Sequence, residues 1–220
     1  MYSFTEENYL KAIYKLSFEQ KQSETSTNAI AEELDTRAAS VTDMLKKLAE
    51  KKLVDYEKYK GVSLSEAGKF VALQVVRKHR LWEVFLHDKL DFGWEEVHEI
   101  AEQLEHIQSD RLINRLDDFL ENPRHDPHGD PIPDRSGVLA QEEYIALNKV
   151  AKGQACILTG VSDHSISFLK SVERWGLGIG TPLTPGERNE FDGTLEIHLP
   201  SGEQIVIGQK SATHILVKTV

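Results

Sequence analysis

The 220-residue chain is expected to fold as a mainly α first half followed by a small all-β second half. Three features lead there. Up to about residue 122, apolar residues recur at helical spacing in one segment after another. The stretch "NPRHDPHGDPIPDRSG" is then too rich in Pro, Gly and Asp for either regular element. Beyond residue 153 the pattern shortens and alternates, with turn signals at Asp192-Gly193 and Ser201-Gly202, as small antiparallel sheets require. The boundaries expected from these shifts are 1–72, 73–137, a linker at 138–152, and a barrel-like domain at 153–220.

The elements follow in order. "TEENYLKAIYKL" opens a helix with Thr5 as N-cap candidate, and Tyr9, Leu10, Ile13, Tyr14 and Leu16 share its apolar stripe. "SETSTNAIAEEL" starts a second helix. "TRAASVTDMLKKLAEKKL" gives a third, with Val41, Met44, Leu45 and Leu48 on one side. Two β-prone runs around Lys60-Gly61 make a hairpin. Ser65 caps a long helix through "RKHRLWEVFLHDKL". Residues 94–107 form the next helix, and Ser109 caps the one that stops before Pro123. In the second half one helix is expected near "SISFLKSVERWG".

Composition narrows the function. One cysteine, Cys156, excludes an internal disulfide and a cysteine-based zinc finger. No apolar run is long enough for a bilayer and no leader follows Met1, so a cytoplasmic protein with no membrane partner is expected. A net charge of −10 argues against a wholly nucleic-acid-binding surface. The charge is segregated, however: residues 37–60 hold seven Lys/Arg against four acids, and residues 86–130 hold thirteen acids against four.

The basic island coincides with the third helix and the hairpin. Two short helices followed by a hairpin form the pattern of a winged helix-turn-helix, whose second helix enters the major groove while the wing touches the backbone. Here Arg37, Ala38, Ala39, Ser40, Thr42, Asp43 and Lys46 would face double-stranded DNA, with Lys58, Tyr59 and Lys60 at the wing tip. Small residues let the backbone approach base edges, and Arg, Ser and Thr hydrogen-bond there. A solvated helix with scattered lysines is the plain alternative.

The acidic island contains "VHEIAEQLEH" (97–106), where His98, Glu102, Glu105 and His106 fall on one helical face. The preceding helix carries His79 and Glu83 at i, i+4. Singly, each would be an ordinary surface residue. Six imidazoles and carboxylates on two helices suit a divalent Mn, Fe, Co or Zn ion, and a carboxylate-rich set leans to Mn(II) or Fe(II). "HEIAE" fails the zincin pattern because Glu102 stands at the second His, and Glu95-x-x-His98 has no second copy for a di-iron bundle. An enzyme is therefore the weaker class. A DNA-binding regulator with purely structural metal stays open.

"YLKAIYKL", "SVTDMLKKLAEKKLV", "RKHRLWEVFL", "VHEIAEQLEH" and "DPHGDPIP" resemble, in order over about residues 4–137, the metal-dependent repressors of the diphtheria toxin repressor and manganese transport regulator type. The tail resembles the SH3-like domain, of the iron-transport FeoA type, of the longer members. The resemblance implies a homodimer whose helical segment serves dimerisation and metal binding. It also implies repression of metal-uptake genes, two metal sites per chain and no small organic ligand. It puts the primary site at Asn8, Glu102, Glu105 and His106, with His79 able to join, and the ancillary site at His79, Glu83 and His98. In some manganese-responsive members the ancillary site also draws on the loop and the SH3-like domain, here Asp126, His128 and Asp163, with His164 a rival. Glu102 stands where iron-responsive members have Cys, which favours Mn(II) over Fe(II). Two positions depart: Asn8 replaces the usual Asp, and Lys11 replaces a further Glu ligand of the short manganese regulators.

Overall fold

The computed structural model describes residues 2–19, 25–57, 61–140 and 143–220. They form two compact units. One comprises Met1–His79, Glu102–Leu116 and Pro133–Leu139; the other comprises Arg80–Ala101, Asp117–Ile132 and Ala140–Val220.

In the first unit, α1 (Phe4–Tyr14) begins one residue before the expected cap. Ser3, not Thr5, is the N-cap: its hydroxyl accepts from Glu6 N (3.3 Å) while the Glu6 carboxylate accepts from Ser3 N (3.1 Å). Ser3-x-x-Glu6 satisfies two backbone donors reciprocally, and Asn8 is too short to do the same for Thr5. A π-helical turn (Lys15–Glu19) follows. Then come α2 (Thr27–Glu33), capped by Ser26, and α3 (Ala38–Glu50). Val41, Leu45 and Leu48 of α3 are buried with Leu10, Ile13 and Ile30, and Met44 packs half-buried at the edge. Each fully buried Leu or Ile contributes roughly 1.5–3 kcal/mol relative to exposure.

Strands β1 (Val54–Glu57) and β2 (Gly61–Leu64) pair antiparallel with Val54 opposite Leu64, and Thr25 forms an isolated antiparallel bridge to Val62. The wing-tip residues Lys58, Tyr59 and Lys60 lie outside the described residues. Ser65 accepts from Gly68 N (3.1 Å) at the head of α4 (Glu66–Leu90). Helices α4, α5 (Val97–Leu104) and α6 (Asp110–Phe119) each contribute residues to both units. Among the described residues no helix is long and apolar enough to cross a membrane.

The second unit carries β3 (Ile145–Ala146), β4 (Cys156–Val161), β5 (Pro182–Arg188), β6 (Leu195–His198), β7 (Gln204–Ile207) and β8 (Ile215–Thr219). They form an antiparallel sheet in the order β3-β8-β4-β5-β6-β7. Helix α7 (Ile166–Arg174) matches the single expected helix, and a short α8 (Gln209–His214) adds to it. The core holds Leu158, Leu169, Leu183, Ile197 and Ile215. Residues 145–150, expected to be linker, contribute β3 and the buried Leu147 and Val150. A two-residue strand is too short to announce itself by alternation.

The "DPHG" loop is bonded onto this sheet. The His128 carbonyl accepts from Val161 N (2.9 Å). Gly129 has φ +91°, and a Cβ there would stand 2.1 Å from the Thr159 carbonyl oxygen. We expect Gly129→Ala to destabilise the protein by more than about 2 kcal/mol, through both the strained φ and the backbone clash. Chemical denaturation of wild type and variant measures this, and a cost below about 0.5 kcal/mol would contradict it.

Glu6 also reaches Lys51, at the C-terminus of α3 (2.6 Å). Burial works against the Glu6 carboxylate, but the bonds from Lys51 and Ser3 outweigh it and hold the pKa below its ordinary 4.5. A lowered folded-state value means stabilisation that is complete above about pH 4.5 and lost as pH falls through the folded value. Lys51 is half exposed, so the charge contributes only about 1 kcal/mol. Glu6→Gln, which keeps the cap, should cost that amount at pH 7. The difference from wild type should vanish toward pH 3 in paired denaturation curves.

Candidate metal centre

In the first unit, His79 on α4 and Glu102 and Glu105 around the end of α5 each offer a donor atom within 4.8 Å of the others. Helix α5 closes at Leu104, so Glu105 and His106 lie on the turn that follows it. His79 Nδ1 and the Lys11 ammonium both donate to Glu105 Oε2, at 2.6 and 2.7 Å. Lys11 also donates to Glu102 (2.6 Å). Glu105 is wholly buried. Its Oε1 also lies 2.7 Å from Lys11, but outside hydrogen-bond geometry, and makes no hydrogen bond.

His106 is buried, stacks on Phe4 (centroids 4.7 Å apart), and its Nδ1 donates to Glu7 (2.7 Å). Glu7 accepts in addition from Gln108 (2.8 Å) and lies 3.5 Å from Lys78 Nζ. With Nδ1–H committed to a carboxylate, the imidazole presents Nε2 as its lone-pair nitrogen, the arrangement that a histidine metal ligand needs. Asn8 Oδ1, on the next residue of α1, is buried without a hydrogen bond. Burying an unpaired amide oxygen costs about 1–3 kcal/mol, so an acceptor left this way points to an absent donor or cation.

The second unit holds another group. Glu83, Asp126 and His128 are all buried, with donor atoms within 4.8 Å of one another. His98 Nδ1 lies 3.4 Å from Glu83 and is half exposed. Burial pushes the Asp126 carboxyl well above the usual range, helped by Asp130 and Glu83 and opposed by Arg80, 3.5 Å away. Burial likewise pushes the His128 ring down, against the pull of Glu83. His128 Nε2 donates to the Trp94 carbonyl (2.9 Å), leaving the lone pair on Nδ1.

His164, from the β-rich part, stacks on His128 (centroids 4.9 Å, planes 27° apart), and its Nε2 lies 3.8 Å from Asp130. Asp163 is used otherwise. Its carboxylate accepts from Ser165 N (2.8 Å) at the head of α7, which holds its pKa down although burial opposes this. The donor groups found among the described residues do not include Asp163.

Of the ten residues expected to bind metal, the first unit thus holds Asn8, His79, Glu102, Glu105 and His106. The second holds Glu83, His98, Asp126, His128 and Asp163. His79 and Glu83 stand one turn apart on α4. The face of "VHEIAEQLEH" is divided: His98 turns to Glu83, and the later residues turn to α1 and His79. Glu7 was not foreseen. The signal for it was chemical: a histidine ligand needs a carboxylate or carbonyl behind its other nitrogen, and Glu7 adjoins Asn8. Both groups offer only oxygen and imidazole nitrogen, which fits a hard divalent cation. Cys156, the only cysteine, is buried in the β core, where burial pushes its thiol up to about 11.

On α3, Arg37, Ala38, Ala39 and Ser40 are exposed, and Thr42 is half-buried with its hydroxyl donated to the Ala38 carbonyl (3.0 Å). Asp43 and Lys46 pair with each other (3.1 Å).

Residues 1–62 match "Iron dependent repressor, N-terminal DNA binding domain", 65–134 match "Iron dependent repressor, metal binding and dimerisation domain", and 145–219 match the FeoA domain. The iron-dependent repressor IdeR of Mycobacterium leprae is 35% identical over 98% of this chain and 97% of its own length. The chain belongs to the iron-dependent repressor family. IdeR of Mycobacterium bovis is 37% identical over 130 residues; that match spans 59% of this chain and only 55% of the relative's length. A solved structure of a manganese-dependent transcriptional repressor in complex with manganese superposes with a TM-score of 0.85. It is 34% identical, with 98% of this chain and all of that chain covered.

Glu7→Ala should free the His106 ring and lower metal affinity by roughly 10- to 100-fold, the usual cost of losing a ligand's supporting carboxylate. Titration with Mn(II) in the absence of DNA reads this directly. An unchanged affinity would remove Glu7 from the site.

Proposed function

We propose that the protein is a metal-responsive transcriptional repressor, not an enzyme, that binds operator DNA as a homodimer when loaded with Mn(II). The observation that carries this reading is the set of hard donors on α1, α4 and α5, with a buried unpaired carbonyl oxygen at Asn8. Asn8, Glu102, Glu105 and His106, with His79, would hold the primary ion. Glu83 and His98, with Asp126, His128 and a residue from 163–164, would hold the ancillary one. A bound divalent ion supplies positive charge among carboxylates that would otherwise repel.

The residues of this chain supply the connection to DNA. Glu6, Glu7 and Asn8 are consecutive on α1. Glu6 accepts from Lys51 at the end of α3, Glu7 from His106. An adjustment of α1 at the donor group is therefore passed by short charged bonds to the helix that carries Arg37 and Ser40. If metal favours one arrangement of α1, DNA that selects the same arrangement tightens metal binding by the same factor.

Manganese is preferred because Glu102 is a carboxylate and no thiolate is available in this unit. The manganese-dependent repressor with TM-score 0.85 supports that choice. The second reading is an Fe(II)-responsive repressor, favoured by the relatives named iron-dependent. Operator-binding titrations under anaerobic conditions with Mn(II), Fe(II), Co(II) and Zn(II) decide between them.

The wild-type protein should bind operator only with metal. Glu105→Ala should abolish that binding while leaving the fold intact. Arg37→Ala and Ser40→Ala should weaken DNA binding by about 1–3 kcal/mol each without altering metal affinity measured without DNA. Operator binding that survives chelation unchanged would sink the reading.

A further inference from the structure

Lys11 sits where the primary ion would draw its carboxylates. Its ammonium lies 2.6 Å from Glu102 and 2.7 Å from Glu105, and its side chain is only 19% exposed. Three consequences follow. The buried Glu105 carboxylate is not left uncompensated when no metal is present, since it has Lys11 beside it and His79 on the same oxygen. A cation that coordinates Glu102 and Glu105 draws on the same two carboxylates that Lys11 now contacts. Finally, a divalent ion placed against both carboxylates meets a positive charge a few ångströms away.

We infer that Lys11 is a tethered counter-cation that competes with the metal for Glu102 and Glu105 and so sets the metal concentration at which the site fills. The inference rests on the primary-site assignment made above and deepens it. A lysine suits this role better than an arginine would suit a permanent tie. It is a compact charge on a flexible four-carbon stem and can withdraw its head without breaking a bidentate fork. In the Lys11-bound arrangement the site is partly closed to metal, and apparent affinity falls by the fraction of time it is open. Competition and charge repulsion act in the same direction, so the sign of the effect is fixed.

Lys11 is also anchored on α1, three residues after the unpaired Asn8. One turn apart, the two share a helix face. The same helix therefore brings both a neutral oxygen for the ion and the cation that resists it.

The test uses the full-length protein without DNA. Free Mn(II) is followed by its aqueous electron paramagnetic resonance signal, and the binding step lost in Glu105→Ala reports the primary site. Lys11→Met, similar in length and uncharged, should bind Mn(II) at that step at least about tenfold more tightly than wild type. Lys11→Arg, which keeps the charge, should stay within about threefold of wild type. The metal-free Lys11→Met protein should melt below wild type, because Glu105 loses a partner, and the Mn(II)-loaded proteins should melt alike. If Lys11→Met does not fold without metal, Lys11→Gln carries the same comparison. Equal or weaker Mn(II) affinity in the uncharged variants overturns the inference, as does a gain in Lys11→Arg equal to that in Lys11→Met. Wild-type protein with no Glu105-dependent Mn(II) binding would instead overturn the site assignment itself.

Discussion

The buried carboxylate of Glu105 is the constraint around which the first unit is arranged. A wholly buried carboxylate with no cation near it is prohibitively costly, so the chain must supply compensation from other elements. Lys11 comes from α1 and His79 from α4, while Glu102, which shares Lys11, comes from α5. Three helices are thereby held by one acid. Apolar packing alone could hold them more cheaply, since replacing buried ion pairs with hydrophobic contacts is often neutral or stabilising. What apolar packing cannot do is respond to a cation.

Helix α1 is where this constraint meets the rest of the unit. Its apolar residues Tyr9, Leu10 and Ile13 lie in the core with α3. Its polar residues Glu6, Glu7, Asn8 and Lys11 are each committed or buried near charged partners. A surface helix normally spends its polar face on water. Here a short run spends it on Lys51, His106, Glu102 and Glu105, which ties the placement of α1 to the charge state of the donor group. The capping box at Ser3 fixes where the helix begins and hence the rotational phase of those four residues.

Much of this was legible in the sequence, and the illegible parts have identifiable causes. Helical periodicity gave α1 to α7 in order, because burial on one face imposes the 3.6 period that the eye can count. The donor residues were visible because acids and histidines on a face that should be apolar demand a reason. Start positions were less certain: Thr5 and Ser3 are both good caps, and only the reach of Glu6 back to Ser3 decides between them. β3 escaped notice because two residues carry no alternation, and Leu147 looks like any loop leucine until its burial is known. The partners were hardest. That Lys11 faces Glu102 and Glu105, and Glu7 faces His106, depends on a contact across more than ninety residues that no local pattern encodes.

The second unit shows the same economy with different chemistry. Asp126 and His128 lie in a loop that is bonded to β4 through the His128 carbonyl and pressed against it at Gly129. Burial pushes the Asp126 carboxyl up and the His128 ring down, while Arg80, 3.5 Å from Asp126, offsets part of the first effect. Asp163 and His164 are adjacent in sequence but divided in role. The acid accepts from Ser165 N just ahead of α7, and the imidazole stacks on His128. A carboxylate held by the backbone N–H of Ser165 gives up that hydrogen bond if it turns to a metal, a net loss of about 1 kcal/mol. The ring of His164 instead lies against His128, itself grouped with the buried Glu83 and Asp126, so the two neighbours face different parts of the unit.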